Sequence, residues 1–172
     1  KVVEETAFLD RHSLKLLAAC VGRTWRFVTG SPLTEKPGFL FSGGQVEGAC
    51  EEGKIAITSQ EFISSFEGFA SDYDTLRVGS VDGRASAAEK RGDVSLLFRG
   101  SRVVNVSILR ETITKTEMEK PIWKYATDFA IVFELDHGFV AIFKGSHTGS
   151  QALQVCSSKT LESLEISDSS LE

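Results

Sequence analysis

Long apolar runs are missing from this chain of 172 residues, and none approaches the ~20 residues that a membrane-spanning helix needs. Basic runs are missing too: Arg99 to Arg102, for example, holds only two arginines, and the formal net charge is −5. Nucleic acids are bound through clustered positive charge, so we expect neither a nucleic-acid partner nor a membrane span. These absences favour a soluble, cytoplasmic protein.

Cysteine is scarce as well. Cys20, Cys50 and Cys156 lie far apart, are odd in number and form no Cys-x-x-Cys pair. This argues against both a disulfide framework and a zinc site. We therefore expect free, buried thiols in a reducing compartment, with no metal and no cofactor.

Residues typical of catalysis are few. No Gly-x-Ser-x-Gly elbow occurs, and there are only three histidines. His137 falls in a predicted hairpin loop, and His147 follows a strand within a Gly- and Ser-rich segment. Asp128 and Glu134 are interpreted as the solvated face of one strand. No catalytic residue is predicted, and a hydrolase-type enzyme using His147 is the least favoured function.

One amphipathic helix is predicted over residues 10–21. Leu14, Leu17, Ala18 and Val21 recur at helical spacing and form one apolar stripe. Asp10 or Ser13 can cap its start, and Gly22 can end it. A second short helix is predicted over residues 58–69, where Thr58 and Glu61 have capping-box spacing.

Period-two alternation dominates the second half of the chain. Val104, Val106 and Ile108 alternate with polar residues, and the apolar parity then shifts at Leu109, which predicts a bulge or a bend near this residue. Residues 139–143 are apolar throughout, as in a central strand covered on both faces.

These patterns predict an α+β fold in a single domain, 1–172. Its main part is an antiparallel twisted or barrel-like sheet of hairpins, packed on the N-terminal amphipathic helix. Residues 157–172 are predicted to be a short edge strand followed by a frayed tail.

Recognition is the function that remains. Residues 121–126 are predicted to be a loop, and its large aromatics, Trp123 and Tyr125, are typical of binding surfaces. The favoured function is a non-enzymatic protein-interaction domain, with Trp123, Tyr125 and His147 as candidate binding residues. The alternative is a β-barrel that binds an apolar small molecule, because the sequence holds twelve Phe that can line a cavity. The partner and the oligomeric state stay open.

Overall fold

A computed structural model describes residues 1–30, 33–36, 39–42, 46–51, 53–62, 73–81, 94–95, 98–144, 153–164 and 166. Up to residue 95, the described residues form a helix and eight strands: β1 (Val3–Ala7), α1 (Arg11–Cys20), β2 (Trp25–Gly30), β3 (Leu33–Lys36), β4 (Phe39–Ser42), β5 (Val46–Cys50), β6 (Gly53–Phe62), β7 (Tyr73–Val81) and β8 (Val94–Ser95). After residue 95, the described elements are β9 (Val103–Glu117), β10 (Lys120–Leu135), β11 (Gly138–Lys144), β12 (Leu153–Ser158) and a 3-10 helix (Leu161–Ser163).

The strands form two sheets. The larger one has seven strands in the order β1-β10-β11-β12-β4-β3, with β9 paired to the other edge of β10. The smaller one has five strands in the order β7-β6-β5-β2-β8. Neighbouring strands are antiparallel except β1, which runs parallel to β10. The predicted fold class, mainly antiparallel β with an N-terminal helix, is confirmed.

The main core lies between the two sheets and under α1. The rings of Trp25, from the smaller sheet, and Phe133, from the larger, have centroids 5.1 Å apart. Leu17 and Cys20 of α1 belong to the same buried cluster. Apolar side chains fill this space, which is how facing sheets are stabilised.

The limits of α1 follow the sequence signals. The carboxylate of Asp10 accepts a 2.7 Å hydrogen bond from the backbone N–H of Ser13, which is an N-cap. After the helix, Gly22 adopts a φ of +88°, a conformation that favours glycine.

The buried face of α1 differs from the predicted stripe. Ser13, Leu17 and Cys20 are buried, whereas Leu14 and Val21 are 43% and 46% exposed. The helix is rotated because the hydroxyl of Ser13 accepts a 3.0 Å hydrogen bond from the backbone N–H of Val78 in β7. A polar contact therefore sets which face meets the sheet.

The hairpin of β9 and β10 is the longest feature of the fold, with strands of 15 and 16 residues. The prediction of a bulge in β9 at Leu109 is wrong, because the register shift lies between Asp128 and Ala130 and leaves the extra residue, Phe129, in β10. The apolar parity of β9 shifts because Ile108 packs against the main core and Leu109 against the cluster on the opposite face of the sheet. The loop prediction for residues 121–126 is wrong, because they belong to β10. A register shift directly after Pro121 lets the strand accept this residue.

Two other predictions concern a helix over residues 58–69 and an edge strand with a tail over residues 157–172. Residues 58–62 belong to β6 and pair with β7, so a helix starting at Thr58 is wrong, while residues 63–69 lie outside the described residues. In the predicted edge strand and tail, Ser157 and Ser158 complete β12 and a 3-10 helix follows at Leu161–Ser163. Residues 165 and 167–172 lie outside the described part. No helix in the described ranges has both the length and the apolar character needed to cross a membrane.

Candidate interaction surface

A buried carboxylate fixes the junction between β1, α1 and the β9–β10 hairpin. Asp128 is only 2% exposed, so its interpretation as a solvated residue is wrong. One carboxylate oxygen accepts a 2.8 Å hydrogen bond from the backbone N–H of Leu9, and the other accepts one of 2.8 Å from Nε of Arg110. Burial of a carboxylate is tolerated here because both oxygens are bonded.

Arg110 is held rigidly by this carboxylate. Its guanidinium carbon lies 3.5 Å from the ring centroid of Phe8, in cation–π geometry. The hydrogen bond to Asp128 raises the pKa of Arg110 above its ordinary value. The side chain is nevertheless half exposed, so a fixed positive charge reaches the surface from β9.

A second polar cluster lies next to this one. The backbone oxygen of Ala7 accepts hydrogen bonds from the hydroxyls of Thr127 (3.1 Å) and Thr75 (3.3 Å). The buried amine of Lys144 donates to Thr127 at 3.3 Å. These contacts connect the end of β1 to β7 of the smaller sheet and to β10 and β11 of the larger sheet, directly beside Asp128.

A groove of about 720 Å³ follows β9. It is lined by the seven consecutive residues 108–114 and by Phe129 of β10. Because neighbouring residues of a strand point to opposite faces, a groove lined by an unbroken run of them extends along the edge of the strand. Arg110 lies within this run.

Within the described part of the chain, the edge of β9 that faces away from β10 is unpaired over most of its length. At its start, Thr24 bridges to Arg102, and the carbonyl of Val103 accepts from the N–H of Gly22. From residue 104 to 117, no strand in the described ranges pairs with this edge. Arg110, Thr112, Thr114 and Thr116 are exposed.

The turn at the tip of the hairpin determines which backbone groups face the open edge. Met118 and Glu119 form a two-residue turn with φ values of +48° and +63°, so the flanking residues Glu117 and Lys120 pair directly. In an antiparallel ladder, alternate residues direct their N–H and C=O groups to alternate sides. Every second residue from Thr116 backwards therefore directs its backbone groups outwards: Thr116, Thr114, Thr112 and Arg110.

The aromatic candidates, Trp123 and Tyr125, lie in β10, which pairs with the opposite edge of β9. Trp123 and Tyr125 are fully buried in β10, and their rings stack with centroids 5.7 Å apart. Ile113 of β9 packs against this pair. The two side chains therefore contact β9 through Ile113. A direct role of Trp123 and Tyr125 in binding stays a prediction.

The histidine candidates are not brought to the groove. His147 lies outside the described residues. His137 is exposed in the turn before β11, and its Nδ1 lies 3.0 Å from a carboxylate oxygen of Asp136. Within the described ranges, no three His, Cys, Asp or Glu side chains are grouped as a metal ion would need.

A smaller cavity of about 230 Å³ lies on the outer face of the larger sheet. Leu161, Leu164 and Ile166 form one wall, and the sheet contributes Leu109, Val132 and Phe139, with Ser107 and Glu134 at its polar side. It is separate from the main core between the sheets.

Sequence reasoning missed the open edge because it read the residues after Pro121 as a loop. The signal that was available is the pair of alternating runs on either side of Met118 and Glu119, which is typical of a hairpin with a two-residue turn. The sequence matches no protein-family model, no curated protein and no solved structure.

Proposed function

We propose that this protein is a non-enzymatic interaction domain that binds an extended segment of a polypeptide along the open edge of β9. The observation that carries the proposal is the groove lined by seven consecutive residues of that strand. Adding a strand to an exposed sheet edge is a common mode of peptide recognition.

The chemistry of the edge suits such a ligand. The outward backbone groups of Arg110, Thr112, Thr114 and Thr116 supply a ladder of donors and acceptors for main-chain hydrogen bonds. The neighbouring side chains alternate between the two faces and provide selectivity. Asp128 and Phe8 hold Arg110 in place before binding, which lowers the entropy lost on association.

The cellular location belongs to the same proposal. Cys20, Cys50 and Cys156 are buried, and none of them forms a disulfide. Cysteines outside disulfides are typical of reducing compartments, so we propose a cytoplasmic location.

The experiment uses a proline on the edge. Thr114→Pro removes an N–H that points away from β10, so the hairpin keeps its own hydrogen bonds while the edge loses a donor. Thr114→Ala is the matched control, since it keeps the N–H. Peptides of 12 residues are selected from a random phage library against the wild-type protein and tested on both variants.

We expect the selected peptides to bind the wild type and Thr114→Ala and to lose at least about tenfold in affinity for Thr114→Pro. Binding should also slow hydrogen–deuterium exchange at the amides of Thr112 and Thr114. Equal binding to Thr114→Pro, or a library that yields no binder, would overturn the proposal.

The cavity beneath Leu161, Leu164 and Ile166 favours a second candidate, the binding of a small apolar molecule. Its volume of about 230 Å³ suits a ligand the size of a single ring. Toluene is the probe, and its binding is followed by ligand-observed NMR. Leu164→Trp should fill the cavity and abolish binding, whereas Leu14→Trp, on the exposed side of α1, should leave it unchanged. Equal toluene binding by both variants would reject this candidate.

A further inference from the structure

We infer that the segment received by the β9 edge is β9 of a second copy of this chain. This inference rests on the proposed function and names the partner of the same edge. The two strands would run antiparallel about a twofold axis perpendicular to the sheet, with Ile113 at the axis. The seven-stranded sheets of the two copies would then join into one continuous sheet.

Symmetry restricts the register. A twofold axis perpendicular to the sheet keeps every side chain on its own face of the sheet. Odd-numbered residues of β9 can therefore lie opposite only odd-numbered residues of the second copy, and even-numbered residues opposite only even-numbered ones. With the axis at Ile113, Thr112 lies opposite Thr114 of the partner subunit, and Arg110 lies opposite Thr116 of the partner subunit. These four positions are the ones whose backbone groups point outwards, so the hydrogen bonds of the new ladder are all formed.

The side chains match in the same register. Glu111 lies opposite Lys115 of the partner subunit, and the symmetry makes this ion pair twice. Ile113 meets Ile113 of the partner subunit at a non-hydrogen-bonded position, where side chains approach most closely. Opposite charges, apolar pairs and threonine pairs all stabilise directly opposed positions of antiparallel strands.

Neighbouring registers fit less well. An axis at Arg110 or at Glu111 places that residue opposite itself, with like charges. An axis at Thr114 places Glu111 opposite Glu117 of the partner subunit. An axis at Thr112 places Glu111 opposite Ile113 of the partner subunit, so its charge has no opposite charge to pair with. Charge therefore favours an axis at Ile113 over these four alternatives.

Charged residues on edge strands often prevent pairing. A blocking edge carries charges that repel an identical copy in every register. Here the acidic residue lies two positions before Ile113 and the basic residue two positions after it, so the same charges attract a second copy.

The experiment measures self-association of the full chain by sedimentation equilibrium across a range of concentrations. Glu111→Lys and Lys115→Glu each replace two attractive pairs with two repulsive ones and should raise the dimer dissociation constant at least about tenfold. The double variant exchanges the charges and should restore the wild-type constant. Glu117→Lys is the control, because in this register Glu117 faces Leu109 of the partner subunit, and it should change the constant less than about threefold.

Restoration by the double variant supports this register. A double variant as weak as the single ones, or a weakening by Glu117→Lys as large as theirs, overturns it. A chain that stays monomeric up to millimolar concentration rejects the second copy as partner. If the chain stays monomeric but the selected peptides bind the wild type and fail to bind Thr114→Pro, the proposed function stands and only the second copy is rejected. If the chain stays monomeric and the peptides bind Thr114→Pro as well as the wild type, both proposals are rejected.

Discussion

The indole Nε1 of Trp123 donates a 2.6 Å hydrogen bond to a carboxylate oxygen of Glu5, across 118 positions of sequence. Trp123 is fully buried and Glu5 is half-buried, so this bond connects the first strand to the longest hairpin in a partly dehydrated setting. Such a bond to a charged acceptor is stronger than one between neutral groups.

Glu5→Gln should lower the free energy of unfolding by about 1–2 kcal/mol, because the acceptor loses its charge while the geometry stays possible. Glu4→Gln is the matched control, since Glu4 lies next to it in β1 but is exposed, and it should change stability by less than about 0.5 kcal/mol. Urea denaturation followed by tryptophan fluorescence measures both. Equal effects of the two substitutions would contradict the role of this bond.

The N-cap of α1 should make stability depend on pH. Hydrogen bonds from Ser13 and, to a lesser extent, the charge of Arg77 hold the pKa of Asp10 below the ordinary value of 3.8. Since the folded pKa is lower than the unfolded one, the charge of Asp10 stabilises the fold above about pH 4, and this contribution is lost as the pH falls through the folded pKa.

Asp10→Ala should therefore cost about 1 kcal/mol at pH 7 and less at pH 3. Asp10→Asn keeps a capping oxygen and should cost less than Asp10→Ala at pH 7. Thermal unfolding of the three proteins at several pH values measures this. A cost of Asp10→Ala that is the same at pH 7 and pH 3 would show that the charge is irrelevant.

Gly138 cannot carry a side chain without displacing its surroundings. A Cβ at this position would lie 2.8 Å from the backbone oxygen of Ser158 and would also collide with the ring of Phe98. Gly138→Ala should therefore destabilise the fold by about 1–3 kcal/mol. A Cβ at Gly79 in β7 meets nothing within 4 Å, so Gly79→Ala should stay within about 0.5 kcal/mol. Calorimetry that ranks the two variants in the opposite order would refute this reading.

Two buried thiols, Cys20 and Cys50, are hydrogen-bonded to each other. Cys50 hydrogen-bonds to the sulfur of Cys20, which lowers the pKa of Cys20, and the charge of Arg23 acts in the same direction against the effect of burial. Diamide should convert the pair to an intramolecular disulfide, with the two thiol hydrogens passing to diamide, which becomes the hydrazine.

The product should be more stable by about 3 kcal/mol, because the bond closes a loop in the unfolded chain. Peptide mapping under non-reducing conditions locates the bond, and Cys156→Ser should leave the result unchanged. A disulfide that includes Cys156, or one between two chains, would contradict the predicted pairing.

Features governed by neighbouring residues were predictable from the sequence. The start of α1 depends on a carboxylate three positions before the N–H that it accepts from, and its end depends on one glycine. The apolar run of residues 139–143 marks a strand enclosed by β10 and β12. In each case the decisive contacts are local or the burial pattern is unambiguous.

Features governed by distant residues were not predictable. The sequence predicted Trp123 as an aromatic residue of a loop. The hydrogen-bond acceptor of its indole, Glu5, lies in β1, a strand that the sequence pattern did not reveal. Asp128 reads as solvated because its partners are a backbone N–H in the first ten residues and an arginine on the facing strand. The rotation of α1 depends on Ser13 meeting β7, 65 positions away.

The parallel pairing of β1 with β10 also governs the order in which the molecule can assemble. Ala7 contacts Thr127 across 120 positions, and among the described strands β1 pairs only with β10, so this pairing must wait until the ribosome has released β10. Contacts of such long sequence separation slow folding, because a large loop must close before they form. The β9–β10 hairpin, whose strands are joined by two residues, can form first and serve as the template on which the N-terminal strand later docks.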